Sequence, residues 1–265
     1  MYPIGEFSTA RSYYKPEKLT IQSGSSMNES TLTARVIDPA FPTKCLFLTT
    51  KHGAWGSLKD KSRSLPQTKY ISENTVKAED LGTVYAKTKD TPDADGYNAQ
   101  HDAALIEVKS DLFKHIRPGV FNVTDAIRGF QDVNNGDIVI SHGMGSGIKY
   151  GVVISNTSYN FTFRVSDPMG NPLDLAGNPD ILSPGGNSGS PVLLYRKANA
   201  SSIQSKGILA GMVNSSAYQA STGTTPSYYF DINAITINSI LDSNKNEMYY
   251  SNGIKLNASL QLFQY

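Results

Sequence analysis

Residues 183–194 read SPGGNSGSPVLL, with three glycines, three serines, two prolines and one asparagine at the start of an apolar run. A turn there leads directly into a buried strand. A serine hydroxyl is a weak nucleophile near neutral pH. It becomes effective only where a base takes its proton and donors hold the oxyanion that forms. Glycines 185, 186 and 189 let the backbone direct its N–H groups inward without a Cβ clash. Ser188 is therefore a candidate nucleophile, and the N–H groups of Gly186 and Ser188 are candidate oxyanion donors. Without that chemistry, the same segment is a surface turn.

A base for Ser188 has to come from four histidines. His52 follows the apolar run in LFLTTKHGAW, where a core strand would hold it rigidly at the edge of a cleft. His101 directly precedes Asp102, His115 lies in a connecting stretch, and His142 ends a strand before the glycines at 143–147. A lone histidine is more often structural than catalytic, so none of the four is singled out by type alone. The acid that orients such a base should be buried and should accept from its Nδ1–H. Asp102, in QHDAALIEV, opens an apolar strand and fits that role best. Asp93 and Asp95 lie in a polar loop.

The elements that must position these residues are strands. Alternating or short apolar β-rich runs occur at 31–38, 45–50, 81–87, 103–108, 137–142, 150–155, 161–166, 191–195, 207–213 and 228–232, separated by Gly, Pro, Asn and Asp. Many short strands without alternating helices predict an all-β barrel or sandwich. Helical spacing is scarce. Ile232, Ile235, Ile237 and Ile240 in DINAITINSILD predict a C-terminal helix over 231–242, and NVTDAIRGF (122–130) a turn of helix. The expected organisation is an N-terminal extension, or residues added by cloning, at 1–20; a first β unit at 21–115; a connection at 116–133; a second β unit at 134–230; and a helix and tail at 231–265.

The 265 residues are 39% apolar and 18% charged, enough for a substantial core. A formal net charge of +1 argues against a dedicated nucleic-acid or anionic-membrane surface. No apolar run approaches the ~18–20 residues that span a bilayer, so neither nucleic-acid binding nor membrane insertion is expected. The single cysteine, Cys45, excludes an intrachain disulfide and a cysteine metal cluster. Seven N-x-S/T sequons, at Asn28, Asn122, Asn156, Asn160, Asn199, Asn214 and Asn257, tip the expectation toward a secreted over a cytoplasmic protein. The opening residues MYPIGEFSTARSYYKPEK lack the apolar core of a signal peptide.

GGNSGSPV (185–192) resembles the nucleophile motif of chymotrypsin-fold (trypsin-like) serine peptidases. It is most similar to their disulfide-poor microbial branch, the staphylococcal V8-type glutamyl endopeptidases and HtrA-type proteases. The order His, Asp, Ser matches, with 50 residues from His52 to Asp102 and 86 from Asp102 to Ser188. FLTTKH and DAALIEV resemble the strands carrying that family's base and acid. GDIVISHGMGSGIKYGVV resembles the opening hairpin of its second barrel, and GILAGMV the strand that pairs with substrate. The resemblance implies two six-stranded antiparallel β-barrels with a cleft between them and a short C-terminal helix. It also implies a serine endopeptidase acting on protein or peptide substrates, with no cofactor and no metal. His52 would be the base and then the acid, Asp102 would hold its tautomer, and Ser188 would attack the carbonyl, with Gly186 and Ser188 forming the oxyanion hole.

Two departures matter. Asn187 replaces the aspartate that pairs with a freed N-terminus in trypsin-like zymogens, so the oxyanion turn is expected to form without processing. V8-type enzymes carry a histidine in the strand after the nucleophile, but Val213 stands there, so glutamate specificity is not carried over. Leu182 and Ser183 would floor the substrate pocket, and Val213, Asn214, Ser215 and Ser216 would line it. Leu182 implies an apolar pocket. The alternatives are an inactive module of the same fold that binds protein or glycan, and an unrelated adhesion protein in which GGNSGS is only a turn. GMGSG (143–147) lacks the third glycine of a dinucleotide fingerprint and is read as a hairpin turn.

Overall fold

The computed structural model describes residues 18–23, 26–55, 67–72, 75–88, 102–108, 127–143, 147–174, 187–204, 207–220, 228–245, 248–250 and 252–263. Two antiparallel sheets dominate them. The first is built from β1 (Lys18–Ser23), β2 (Ser26–Thr31), β3 (Ala34–Ile37), β4 (Leu46–Thr49), β5 (Gln67–Ser72), β6 (Thr75–Thr88) and β7 (Ala104–Val108), in the order β3-β4-β7-β6-β5-β1-β2. The second holds β8 (Ile127–Phe130), β9 (Ile138–Gly143), β10 (Gly147–Asn156), β11 (Asn160–Ser166), β12 (Pro191–Arg196), β13 (Gly207–Ala220) and β14 (Tyr228–Thr236). Its order is β12-β9-β10-β11-β14-β13, and a further β12–β13 pairing closes it into a six-stranded barrel. All ten runs expected to be strands are strands, and the two-barrel, all-β class holds.

The chain end returns to the first sheet. β15 (Met248–Tyr250) pairs with β6 and β16 (Gln261–Leu262) with β3, making that sheet nine-stranded. Side chains from both sheets and from the tail share one core, including Leu46, Leu48 and Leu105, then Ile140, Leu193 and Met212, then Met248, Leu256 and Leu260. A second core, with Val139, Val153, Phe161, Phe163, Val165, Val192 and Ile232, fills the closed barrel.

Three expectations are corrected. The helix expected over 231–242 is confined to α2 (Ile237–Leu241), because β14 runs through Thr236. Thr236 ends the strand and caps the helix, its Oγ1 accepting from the Ser239 N–H. Part of the expected helical turn at 122–130 is instead β8, paired in parallel with β13. β1 begins at Lys18, inside the range assigned to an N-terminal extension. A short helix that the strand pattern did not predict, α1 (Lys51–Trp55), follows β4.

Candidate active site

Three loops meet where the two sheets face each other. α1 delivers His52 one turn after β4, whose four residues are all buried. The helix can approach β2 closely only because residue 53 is glycine: a Cβ there would stand 2.4 Å from Ser30 Cβ. Asp102 lies two residues before β7. The neighbouring Ala103 carbonyl is held by the Thr88 N–H at 2.9 Å, at the end of β6.

The Asp102 carboxylate is buried, 4% exposed, while the His52 ring is 29% exposed. Asp102 Oδ1 accepts the His52 backbone N–H at 2.8 Å, and Oδ2 pairs with His52 Nδ1 in a short contact. One carboxylate therefore fixes both the backbone and the ring of His52. With the ring proton on Nδ1, Nε2 is left as the acceptor. It lies 2.7 Å from Ser188 Oγ.

Ser188 sits on a turn spanning 187–190. The Ser190 N–H donates to the Asn187 carbonyl at 3.0 Å, and the Ser190 hydroxyl to the same oxygen at 2.5 Å. Gly189, third in the turn, has φ +84°, the conformation that type II turns assign to glycine. The first sheet braces the turn. The Thr31 N–H and the Ser30 hydroxyl donate to the Ser188 carbonyl at 2.7 and 2.8 Å, and the Thr33 hydroxyl to the Gly189 carbonyl at 2.6 Å. From the second sheet, the Val213 carbonyl accepts the Gly189 N–H at 2.8 Å. Among the described residues the Ser188 N–H has no acceptor.

The structure thus brings His52, Asp102 and Ser188 together. Val213, Asn214, Ser215 and Ser216 lie on β13 beside them. The Asn214 carbonyl is 3.5 Å from Ser188 Oγ, Asn214 is buried, and the Ser215 hydroxyl accepts from Asn233 Nδ2 at 3.2 Å. Gly186, Leu182 and Ser183 lie outside the described residues, as do His101 and His115. His142 is buried on β9, on the face it shares by alternation with Ile138 and Ile140. Gly143 and Gly147 face one another at the end of the β9–β10 hairpin.

The sequence reading missed Ser30, Thr31 and Thr33. The only local signal was a Ser/Thr cluster, STLT, entering a strand. Among the described residues no three His, Cys, Asp or Glu side chains converge as metal ligands would, and no helix is long and apolar enough to cross a membrane.

No protein-family profile matches the chain, and no curated protein matches it. Among solved structures it is similar to Thermobifida fusca protease A, with 13% identity over 95% of this chain and 98% of that one and a TM-score of 0.48. It is similar to Cellulomonas bogoriensis chymotrypsin, with 12% identity over 95% and 98% and a TM-score of 0.47. A glutamic acid-specific serine protease gives 12% identity over 86% and 96% and a TM-score of 0.48.

Proposed function

We propose that this protein is a serine endopeptidase that forms an acyl-enzyme on Ser188. The observation that carries the reading is the position of His52. Its Nδ1 is paired to a buried carboxylate, and its Nε2 is 2.7 Å from a hydroxyl on a turn tied to both sheets. In this reading His52 Nε2 takes the Ser188 proton as Oγ attacks the peptide carbonyl. Asp102 stabilises the imidazolium without taking its proton. The negative charge on the former carbonyl oxygen is met by the Ser188 N–H and, as the proposed second donor, the Gly186 N–H. His52 then protonates the leaving amine. Water attacks the acyl group, with His52 again taking a proton, and Ser188 is restored.

Substrate placement follows from β13. Among the described residues, its pairing with β12 has ended beyond Val213 while its pairing with β14 continues. An extended peptide can add alongside β13 at 214–216 through backbone hydrogen bonds. The test is turnover of a mixed peptide library by wild type and by Ser188→Ala. Cleavage by wild type that the variant loses supports the reading. A folded wild type that cleaves nothing, or an equally active variant, overturns it and favours a non-catalytic binding module.

A further inference from the structure

β13 is fixed at Val213 and again at Ser215, by different partners. The Val213 carbonyl accepts the Gly189 N–H at 2.8 Å, and the Val213 N–H donates to the Ser190 carbonyl at 2.9 Å. Val213 is therefore paired with the turn that carries Ser188. Along β14 the register then shifts. Val213 faces Ala234 but Ser215 faces Asn233, so β13 holds one extra residue, Asn214, within a single step of its partner. Such a bulge bends the strand and re-aims the inserted residue. Here the Asn214 carbonyl lies 3.5 Å from Ser188 Oγ.

The residue after the bulge is tied down from behind. Ser215, Asn233 and Thr162 stand opposite one another on β13, β14 and β11. Ile232 and Ala234 flank Asn233, Phe161 and Phe163 flank Thr162, and all four fill the core of the closed barrel. By alternation Asn233 and Thr162 are on the outer face, and Ser215 meets them there. The Thr162 hydroxyl donates to Asn233 Oδ1 at 2.7 Å, and Asn233 Nδ2 donates to Ser215 Oγ at 3.2 Å. Thr162 occupies the amide oxygen and so turns the amide nitrogen toward Ser215. One side chain thereby bridges three strands.

The bridge decides the register of the bulge. A regular ladder continued from Val213 and Ala234 would place Asn214, not Ser215, opposite Asn233. The Asn214 carbonyl would then leave its place beside Ser188 Oγ. A ladder disrupted by a bulge specifies its own register weakly, and the amide supplies what the backbone lacks.

We propose that Asn233 is a positioning residue for substrate: it holds Ser215, and with it the bulge, so that the peptide-pairing segment 214–216 keeps its register with the Ser188 turn. The proposal rests on the acyl-transfer reading of Ser188 and on peptide addition alongside β13. Asn233 acts through Ser215 rather than on the reacting atoms. The anchor at Val213 does not pass through Asn233, so a small reagent that needs only His52, Ser188 and its turn is indifferent to the bridge. A peptide long enough to pair with 214–216 is not.

The test compares wild type with Asn233→Leu, which keeps the bulk and removes both hydrogen bonds. The readouts are the rate of labelling by a small fluorophosphonate with no peptide portion, and kcat/KM for substrates with one, two or three residues before the scissile bond. Wild type should gain kcat/KM with length. Asn233→Leu should label at the wild-type rate, yet lose about 5- to 30-fold in kcat/KM on the longest substrate and little on the shortest. Thr162→Val, which removes only the donor that orients the amide, should lose in the same direction by a smaller factor, and it decides the matter where Asn233→Leu does not fold. A folded variant that labels and cleaves every length as wild type does overturns the proposal. So does one that loses labelling and all substrates in equal measure, which makes the bridge a structural contact alone. A labelled wild type whose kcat/KM ignores length overturns it and leaves the acyl-transfer reading intact. A wild type that is neither labelled nor active on any substrate overturns both.

Discussion

The Thr31 N–H donates to the Ser188 carbonyl at 2.7 Å, across a separation of 157 positions in the chain. The second sheet supplies Ser188, but the first sheet fixes the peptide on which it sits. The same sheet carries His52 and Asp102, so the three groups are held relative to one another by short local contacts as well as by the shared core.

Gly189→Ala should destabilise the protein by more than about 2 kcal/mol. Residue 189 is at φ +84°, and an added Cβ would stand 2.1 Å from the Thr31 carbonyl oxygen. Both the turn and its brace would have to shift. Denaturant unfolding should show a lower midpoint with an unchanged slope. A midpoint equal to wild type would show that the turn is not held against β2.

Ser30→Ala removes a buried hydroxyl that contacts Thr49 Oγ1 at 2.7 Å, Thr50 Oγ1 at 3.2 Å and the Ser188 carbonyl at 2.8 Å. The expected cost is about 1–2 kcal/mol of stability, together with slower acylation of Ser188, because the turn loses one of its two donors from β2. The pair of readouts is unfolding and the rate of phosphonylation. Loss of stability with an unchanged labelling rate would place Ser30 in the fold but not in the positioning of Ser188.

His52→Ala should lower kcat on the order of 10⁶-fold, and Ser188→Ala by a similar factor, with unfolding curves close to wild type. Asp102→Asn should lower it by about 10⁴-fold through loss of the correct tautomer. Peptide turnover by each variant checks this. An Asp102→Asn variant at wild-type rate would remove Asp102 from the set.

Asp38 is fully buried and accepts from Tyr85 Oη at 3.0 Å and Tyr250 Oη at 2.8 Å, which ties the returning tail to β3 and β6. Burial, then the hydrogen bond to Asp38, pushes the Tyr250 pKa up to about 12 from 10.0, and the same causes raise Tyr85. A folded-state pKa above the unfolded one means the tyrosines favour the fold below pH 10. That contribution is lost as pH rises through the folded values. Stability should therefore fall from about pH 10 to about pH 12, and Tyr250→Phe should flatten part of that slope. An identical alkaline profile for the variant would contradict the coupling.

The parts of the fold that could be read from the sequence are those whose side chains declare a core. β4, β7, β9, β11 and β12 are apolar runs or alternations, and all were expected. β1, β2 and β5, with sequences KLTIQS, SMNEST and QTKYIS, carry few apolar residues and owe their place to pairing with one another. β15 and β16 are three and two residues long, too short for any period. The isoleucines at 232, 235, 237 and 240 fit a helix by spacing, yet the first two belong to β14. His52, Asp102 and Ser188 were legible because each adjoins such a core strand. Ser30 and Thr31 were not, because a brace made of one hydroxyl and one backbone N–H has no pattern that links it to a turn more than 150 residues away.

The most direct test of the account is the intact mass of the protein after exposure to a serine-directed fluorophosphonate, with Ser188→Ala and His52→Ala in parallel. One phosphonyl group per wild-type molecule is expected, located on Ser188 by peptide mapping, with none on either variant. A well-folded wild type that stays unlabelled, or label on a serine other than Ser188, would contradict it.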